Sequence, residues 1–407
     1  MATVYPLRAL RPRADIADKV ASVPYDVVNC EEARQLAKGN PLSFLHVTKP
    51  EIDLDNAIDA YDAAVYAQGA KALATMVAEG VLSQDDAPCF YAYALTMNGH
   101  TQTGIVLGAS VDEYDRNIVR KHEHTRPDKE NDRVRHIEAT GAQTGTVFLV
   151  HKQSSQIARV LQARTQTDPV VDFVATDGVR HRLWIIGDKA DMRAITEGFA
   201  ALGPIYIADG HHRSAAASRV AHARRQGKPD PKAPAEMFLA VSFPEAEVRI
   251  LPYNRVVRDL GGRSAASFMG EVRKVFDVAD GKPPSSAPHQ LGMYLEGAWY
   301  TLRVRPGSFD ASDPVARLDV SILQQLLLAP VLGIQDPRRD QRIDFVGGIR
   351  GENELERRVK AGWAVAFSLH PTGIADLFAI ADAERVMPPK STWFEPKLRD
   401  GLVVHRF

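Results

Sequence analysis

The stretch YIADGHHRSAAASRV, residues 206–220, decides the fold of this sequence because an apolar run changes there into a run of small residues. Within it, the motif DGHHR, residues 209–213, is preceded by the apolar PIYI and followed by SAAASRVAHARR. This order predicts a strand that turns into a helix at Gly210. Glycine permits a tight turn and close approach of the backbone to a ligand. The first N–H groups of a helix lack partners within the helix and carry partial positive charge, so the junction predicts an anion-binding turn.

Chemically active residue types are concentrated in this turn. Asp209 could bind a metal, orient a hydroxyl group or accept a proton as general base, and His211 is a second catalytic candidate. Gly210, His212 and Arg213 are candidate phosphate-binding residues, since a guanidinium group suits phosphate oxygens. The alternative is a structural one, in which the aspartate caps the helix and the two histidines are partly solvated.

A second candidate motif is RKHEHTR, residues 120–126. In an extended segment, His122 and His124 would share one face and Glu123 would lie on the other. We expect Lys121, His122 and His124 to bind phosphate and Glu123 to be a reserve proton acceptor. Two imidazoles could instead hold a metal with a third ligand from His211 or His212, or the segment could be a solvated loop. A shared site requires the two motifs to lie within about 15 Å of each other.

Two further segments carry candidate substrate-binding residues. VPYDV, residues 23–27, supplies Tyr25 and Asp26, and Asp26 is also a reserve proton acceptor. MPPKSTWFEPK, residues 387–397, supplies Lys390, Ser391 and Thr392, because a lysine followed by hydroxyl groups suits an anion. A structural turn and a rigid exposed loop are the respective alternatives.

Strand and helix patterns alternate along the chain, which predicts an α+β (mixed α/β) fold with mixed sheets and flanking helices. Asn98-Gly99 between two apolar runs predicts a hairpin, and LSFLHVT, residues 42–48, predicts a buried strand. Asn29 followed by two glutamates predicts a helix start. The length of 407 residues predicts two domains, and the Pro- and Ser-rich stretch at 279–290 places them at 1–280 and 281–407.

Composition excludes several classes of function. The net charge of −1 gives no basic field, so we expect no nucleic-acid partner on charge grounds. Two cysteines cannot form a disulfide framework or a cysteine-based zinc site. No apolar run reaches the roughly 18 residues of a membrane span and no secretory signal is apparent, so we expect a cytoplasmic protein. The sequence contains no P-loop, no G-x-S-x-G elbow and no H-E-x-x-H stretch, and the oligomeric state stays open.

Five segments, taken together, resemble in order the landmark segments of the domain of unknown function 1015 family. They begin at VPYDV and continue through RKHEHT, YIADGHHR, LDVSILQQ and MPPKSTWFEPKL. Within them, ADGHHR is similar to the Gly-His-Arg phosphate-binding turn of the ParB/sulfiredoxin superfamily, which includes partition proteins, sulfinic acid reductases and free serine kinases. The sequence departs from that pattern after Arg213, where SAAASRV stands in place of an aromatic residue and a glutamate.

The resemblance implies a nucleotide or polyphosphate bound at residues 210–213 and a nearby carboxylate that deprotonates a small hydroxyl substrate. We therefore expect a phosphotransferase, with free L-serine as acceptor, with ATP, ADP or pyrophosphate as donor, and with Mg²⁺ as cofactor. The alternative is a non-catalytic module that binds a nucleotide or nucleic acid. A nucleic-acid-binding version would use the basic helix end that contains Arg219, Arg224, Arg225 and Lys228.

Overall fold

The computed structural model describes residues 1–225, 227, 229–283 and 287–407. Lys228 and residues 284–286 of the Pro- and Ser-rich stretch therefore lie outside the described residues. The chain divides into two units, one made of Met1–Val248 with Pro396–Phe407 and the other of Arg249–Glu395. The boundary expected at 280 differs from this division. It falls inside the second unit, between two strands that both pair with Ala298–Val304.

The first unit is built on a mixed sheet of nine strands. Its order is β6, β11, β8, β12, β5, β4, β10, β9, with β1 paired to β5. The β6–β11 and β8–β12 pairs are parallel and the other pairs are antiparallel. The strands of this unit, including two small ribbons (β2–β3 and β7–β21), are β1 (Val4–Tyr5), β2 (Leu10–Pro12), β3 (Leu82–Gln84), β4 (Phe90–Met97), β5 (His100–Ser110), β6 (Val119–Arg120), β7 (Ala142–Gln143), β8 (Val147–His151), β9 (Val171–Val174), β10 (Arg180–Ile186), β11 (Ile205–Asp209), β12 (Met237–Pro244) and β21 (His405–Arg406).

Helices flank this sheet. They are α1 (Ala17–Val20), α2 (Cys30–Ala37), α3 (Leu45–Thr48), α4 (Ala63–Ala78), α5 (Val111–Asp115), α6 (Pro127–Thr140), α7 (Ser155–Arg164), α8 (Lys189–Leu202) and α9 (His211–Arg224), with 3₁₀ turns at Ala14–Ile16, Pro50–Asp53 and Pro234–Glu236. The main apolar core joins strand side chains to those of α7, α8 and α9. A smaller cluster, which includes Ile137, Ala216 and Val220, packs α6 against α9. Helix α9 is therefore buried between the sheet and α6.

The second unit contains a six-stranded antiparallel sheet in the order β15, β17, β16, β19, β14, β18 and a ribbon of β13 with β20. Its strands are β13 (Arg249–Leu251), β14 (Tyr253–Val257), β15 (Phe276–Asp280), β16 (Gln290–Leu295), β17 (Ala298–Val304), β18 (Ile343–Gly347), β19 (Val365–Ser368) and β20 (Trp393–Glu395). Its helices are α10 (Ala265–Val275), α11 (Asp319–Leu323), the π-helical turn Gln324–Leu328, the 3₁₀ turn Gly348–Arg350, α12 (Gly351–Lys360) and α13 (Ile374–Asp382).

The predicted fold class is confirmed, since both units combine sheets with helices and the larger sheet is mixed. The Asn98-Gly99 hairpin is confirmed as well, because both residues adopt positive φ between β4 and β5. The prediction of a strand at residues 42–48 is wrong, because part of the apolar run forms the short helix α3. This helix contributes Leu45 and Val47 to the core. In the described part of the chain, no helix is both long and apolar enough to span a membrane.

Candidate functional site

The candidate turn, residues 209–213, lies where β11 ends and α9 begins. Gly210 is the N-cap of α9 and adopts a φ of 102°. A Cβ at Gly210 would lie 3.1 Å from the Arg213 guanidinium carbon and 3.3 Å from the Val147 Cα. Both the dihedral angle and the crowding therefore require glycine at this position. The sequence-based prediction of a strand-to-helix turn at Gly210 is confirmed.

The two predicted motifs meet at this turn because their strands are parallel neighbours. Tyr206 of β11 is in register with Arg120 of β6, so both strands deliver their following residues to the same edge of the sheet. The rings of His122 and His211 pack edge to face with centroids 4.5 Å apart. The backbone N–H of His122 donates to Nε2 of His211 at 3.4 Å.

Glu123 also faces His211, which differs from the alternation expected for an extended segment. β6 ends at Arg120, and the chain bends at Glu123 instead of continuing as a strand. The Glu123 Oε2 atom therefore lies 3.7 Å from Nδ1 of His211. Since Nε2 of this imidazole accepts the His122 N–H, its proton is assigned to Nδ1, the nitrogen nearer to Glu123.

Burial keeps this histidine pair neutral. Loss of hydration holds the pKa of His211 well below its usual value, and the neighbouring His122 lowers it further. Burial also lowers the pKa of His122 to about 4, although Asp209 opposes that shift. Near pH 7 the two rings are therefore uncharged hydrogen-bonding groups rather than cations.

Arg213 is the buried cation of the site. Its Nη1 donates to the Thr146 carbonyl, while Nε and Nη2 are buried and make no hydrogen bond within the described residues. Nη2 lies 3.5 Å from Asp26 Oδ2 and 3.6 Å from Asp209 Oδ1. Burial alone would lower the pKa of the guanidinium group, but Asp26 and Asp209 hold it above its ordinary value. Arg213 thus stays charged with unused donors.

Asp209 is paired with two cations, because Lys397 Nζ lies 3.5 Å from its Oδ2 atom and Arg213 Nη2 lies 3.6 Å from its Oδ1 atom. Burial opposes ionisation, yet Lys397 and then Arg213 hold the pKa of Asp209 far below its ordinary value. An acid that ionises so readily is a weak proton acceptor. Its surroundings suit a permanently ionised carboxylate that pairs with cations better than the general base expected from the sequence.

The remaining candidates of the two motifs have different surroundings. His212 is partly buried, its Nε2 accepts the Arg126 N–H at 3.0 Å, and burial lowers its pKa. Lys121 Nζ donates to the Tyr114 carbonyl at 2.9 Å and lies 4.2 Å from the centre of that ring. His124 is exposed to solvent. Both of these contacts of Lys121 are with Tyr114, and its contact with phosphate stays a prediction.

Tyr25 contacts Arg133 and lines the same small cavity as Arg213. The Arg133 guanidinium carbon lies 3.9 Å from the centre of the Tyr25 ring, and Arg133 donates to Asp132 Oδ2 at 2.7 and 2.9 Å. Burial raises the pKa of Tyr25 above its ordinary value. Tyr25, Arg133 and Arg213 line a cavity of about 20 Å³, which has room for about one water molecule.

Lys390, Ser391 and Thr392 belong to the second unit and are engaged there. The Ser391 hydroxyl donates to the Pro388 carbonyl at 2.6 Å, and Arg255 Nη2 donates to the Lys390 carbonyl at 3.0 Å. Lys390 Nζ lies 5.6 Å from the centre of the Tyr253 ring. Their predicted role in substrate binding stays a prediction.

Two charged residues of the site were missed by sequence reasoning, Lys397 and Asp400. Both follow the second unit in sequence but belong to the first. Lys397 is the last residue of the MPPKSTWFEPK motif. The sequence interpretation assigned anion binding to the Lys-Ser-Thr group of that motif and gave Lys397 no role. Asp400 is 1% exposed, and burial raises its pKa to about 7 against the opposing charge of Arg213. The charged run PKLRD, residues 396–400, was the signal that could have indicated both.

No group of three or more His, Cys, Asp or Glu side chains among the described residues is arranged to hold a metal ion. The zinc alternative, which required His122 and His124 with a third histidine, therefore finds no cluster in that part of the chain. The basic helix end is neutralised in part, since Arg219 pairs with Glu130 at 2.9 Å and Arg225 with Glu236 at 2.8 Å. The guanidinium carbon of Arg224 lies 4.5 Å from the centre of the Phe407 ring.

Comparison with known proteins gives one family match and distant structural likenesses. The family described as "Protein of unknown function (DUF1015)" matches residues 4–321. No curated protein matches the sequence. A free serine kinase in complex with AMP is 11% identical, with a TM-score of 0.36 over 72% of this chain and 86% of that one. SbnI with a C-terminal truncation, from Staphylococcus aureus, is 11% identical, with a TM-score of 0.39 over 73% and 86%. A conserved hypothetical protein from Pyrococcus furiosus is 11% identical, with a TM-score of 0.36 over 73% and 93%. These scores are too low for any residue role to be transferred.

Proposed function

The chain belongs to the DUF1015 family, and from that premise we propose that it is a phosphotransferase whose strand-to-helix turn binds the phosphates of its donor. The acceptor is the hydroxyl group of a small metabolite, with free L-serine as the first candidate. The donor is ATP, ADP or pyrophosphate. The protein then acts on small molecules, and we place it in the cytoplasm.

The observation that carries this proposal is the state of Arg213. Its guanidinium group is 7% exposed, stays charged and keeps Nε and Nη2 free of hydrogen bonds to the described residues. It lies in the first turn of α9, where backbone N–H groups lack partners within the helix. A buried guanidinium group beside a helix start is suited to a phosphate group, which accepts charge-assisted hydrogen bonds from both.

Charge balance at the site supports a divalent cation as cofactor. Asp26, Asp209 and Glu123 are all within 4 Å of a group of the turn, so an incoming polyphosphate meets three carboxylates as well as Arg213 and Lys397. Mg²⁺ is held in such sites by one or two carboxylates together with substrate phosphates and water. Asp26, which is 37% exposed beside Arg213, would hold the ion, and the ion would supply charge compensation for the transferred group.

Proton transfer from the acceptor hydroxyl is assigned to Glu123 rather than to Asp209. Asp209 is held ionised by two cations, whereas Glu123 is 46% exposed and lies beside the Nδ1 atom of neutral His211. His211 orients that carboxylate by directing its N–H toward it. Asp209 and Lys397 position Arg213 and the turn. Tyr25 and Asp26 are the proposed acceptor-binding residues of the first unit, and for Lys390, Ser391 and Thr392 this role stays a prediction from the sequence.

The test is a phosphorus NMR assay of the purified chain with Mg²⁺, L-serine and one donor per tube. The expected result is a phosphoserine resonance with one of ATP, ADP or pyrophosphate. Arg213→Lys should strongly reduce it because a lysine cannot replace the planar pair of donors. Arg219→Lys is the matched control, since it changes an arginine of the same helix that pairs with Glu130 at the surface.

Three other outcomes separate the alternatives. Donor hydrolysis without phosphoserine keeps phosphate chemistry and excludes serine as acceptor. Donor binding that Arg213→Lys weakens, with no turnover in any tube, supports the non-catalytic nucleotide-binding module. If no donor binds or reacts, the proposal is wrong.

A further inference from the structure

Asp400 is a buried carboxyl group that the phosphotransfer proposal does not use. Its main chain exchanges hydrogen bonds with Ser22, at 2.9 Å from the Asp400 N–H and 3.1 Å to its carbonyl. The side chain is 1% exposed, and neither carboxyl oxygen makes a well-aligned hydrogen bond within the described residues, although the Thr146 backbone lies close enough to favour the ionised carboxyl group. A buried polar group without partners is unfavourable, so this arrangement calls for a specific explanation.

Asp400 lies beside the guanidinium-bearing side chain of the turn. A Cβ placed on Gly145 would be 3.8 Å from both Asp400 carboxyl oxygens and 3.1 Å from Cδ of Arg213. Gly145 and Arg213 also line the cavity of about 20 Å³ described above. Four buried and unpartnered atoms therefore lie in one region, two acceptors of Asp400 and two donors of Arg213.

Charged and titratable groups act on Asp400 from several elements. Arg213 of α9 and Arg133 of α6 favour its ionised form, and the Thr146 backbone before β8 does the same. Asp26, from the segment before α2, disfavours it. On the side of β4, the Tyr93 hydroxyl is close enough for its pKa to be affected by Asp400, and Arg399 there is paired with Asp177.

We propose that Asp400 is a positioning residue for Arg213 and that it takes up a proton when an oxyanion binds at the turn. The proposal rests on the phosphate site of the proposed function and goes beyond it by making anion binding proton-coupled. Arg213 is surrounded by three carboxyl groups, those of Asp26, Asp209 and Asp400. An oxyanion adds negative charge to this group, and protonation of the most buried carboxyl is the smallest change that restores the balance.

The direction of the coupling follows from linkage. If a bound anion favours the protonated form of Asp400, protonation of Asp400 must favour the anion by the same factor. Burial, opposed by Arg213, raises the pKa of this carboxyl to about 7, so both forms are available near neutral pH. His211 and His212 have pKa values lowered by burial, so they stay neutral above pH 7 and do not replace Asp400 as proton carriers there.

The experiment is isothermal titration calorimetry with inorganic sulfate between pH 6 and 9. Sulfate does not change its protonation in this range, unlike ADP or pyrophosphate, so any proton taken up belongs to the protein. Each pH is measured in two buffers of different ionisation enthalpy, which gives the number of protons bound. We expect uptake to rise above pH 7 toward one proton, and the sulfate Kd to increase up to about tenfold per pH unit in that region.

Asp400→Asn should bind sulfate with a Kd that changes little with pH and with no proton uptake above pH 7. Asp18→Asn, which changes an exposed aspartate of α1, should behave as the unmodified chain. The wild-type proton count tests the proposal even if the Asp400 variant does not fold. Sulfate binding without proton uptake overturns the inference alone, as does uptake that persists in Asp400→Asn. Absence of sulfate and pyrophosphate binding at every pH overturns both the inference and the proposed phosphate site.

Discussion

Replacing Asp400 by asparagine should make the folded chain more stable at high pH and less dependent on pH. Burial raises the pKa of Asp400 from its ordinary 3.8 to about 7 in the folded state. A carboxyl group with a raised folded-state pKa stabilises the fold when protonated, and this contribution is lost as pH increases from the unfolded-state value through the folded one. The amide cannot ionise, so the variant lacks this loss.

The size of the effect follows from the shift. Each pKa unit corresponds to about 1.4 kcal/mol, so ionisation of Asp400 costs the folded state about 4 kcal/mol once the pH is above 7. About 2 kcal/mol of this develops between pH 5 and pH 7. The difference in unfolding free energy between Asp400→Asn and the unmodified chain should therefore grow by about that amount over this interval and level off near pH 8.

The assay is urea denaturation followed by tryptophan fluorescence at pH 5, 6, 7 and 8. Trp184 is buried in the first unit and reports on the part of the chain that contains Asp400. Only the difference between the two proteins is interpreted, since other groups titrate equally in both. Asp18→Asn should show a difference that does not change with pH. A flat difference for Asp400→Asn would refute the assignment of a protonated, buried carboxyl group.

Three further results are expected. Arg213→Lys should weaken pyrophosphate binding about ten- to a hundredfold in calorimetry, because charge-assisted hydrogen bonds are worth about 1.5–3 kcal/mol. Arg219→Lys should bind pyrophosphate as the unmodified chain does, and equal losses in both variants would contradict the assignment of Arg213. Glu123→Gln should lower the rate of phosphoryl transfer about 10²–10⁴-fold with donor affinity retained, and an unchanged rate would exclude Glu123 as the proton acceptor. Gly210→Ala should lower the melting temperature, since a φ of 102° and a Cβ only 3.3 Å from Val147 Cα strain any larger residue. The expected loss in the free energy of unfolding is about 1–3 kcal/mol. An unchanged melting temperature would show that the turn relaxes.

The features that the sequence predicted well are those set by local backbone chemistry. The Asn98-Gly99 hairpin and the turn at Gly210 both depend on positive φ, which few residues adopt without strain. Asn29 was recognised as a helix cap, and its side chain accepts the Glu32 N–H at 2.9 Å in a capping box. The strand expected at residues 42–48 failed because a short apolar run does not distinguish a strand from a buried helical turn.

The site was predictable in its two motifs but not in its electrostatics. Because β6 and β11 are parallel neighbours, they bring residues 120–126 and 209–213 together, and only the tertiary pairing determines that adjacency. Burial and partners then changed the chemistry expected of individual side chains. Asp209 looked like a base until Lys397 was found beside it, and the Lys397–Asp209 contact spans 188 residues.

The return of residues 396–407 to the first unit has a consequence for how the protein is made. Lys397 and Asp400 are encoded after the whole of the second unit, whereas the strands and the turn they serve lie in residues 1–248. On the ribosome, the nine-stranded sheet can form long before these two side chains leave the exit tunnel. A nascent chain can therefore have the turn in place while Asp209 still lacks its lysine, and the charge arrangement of the site is completed only after the second unit has been synthesised.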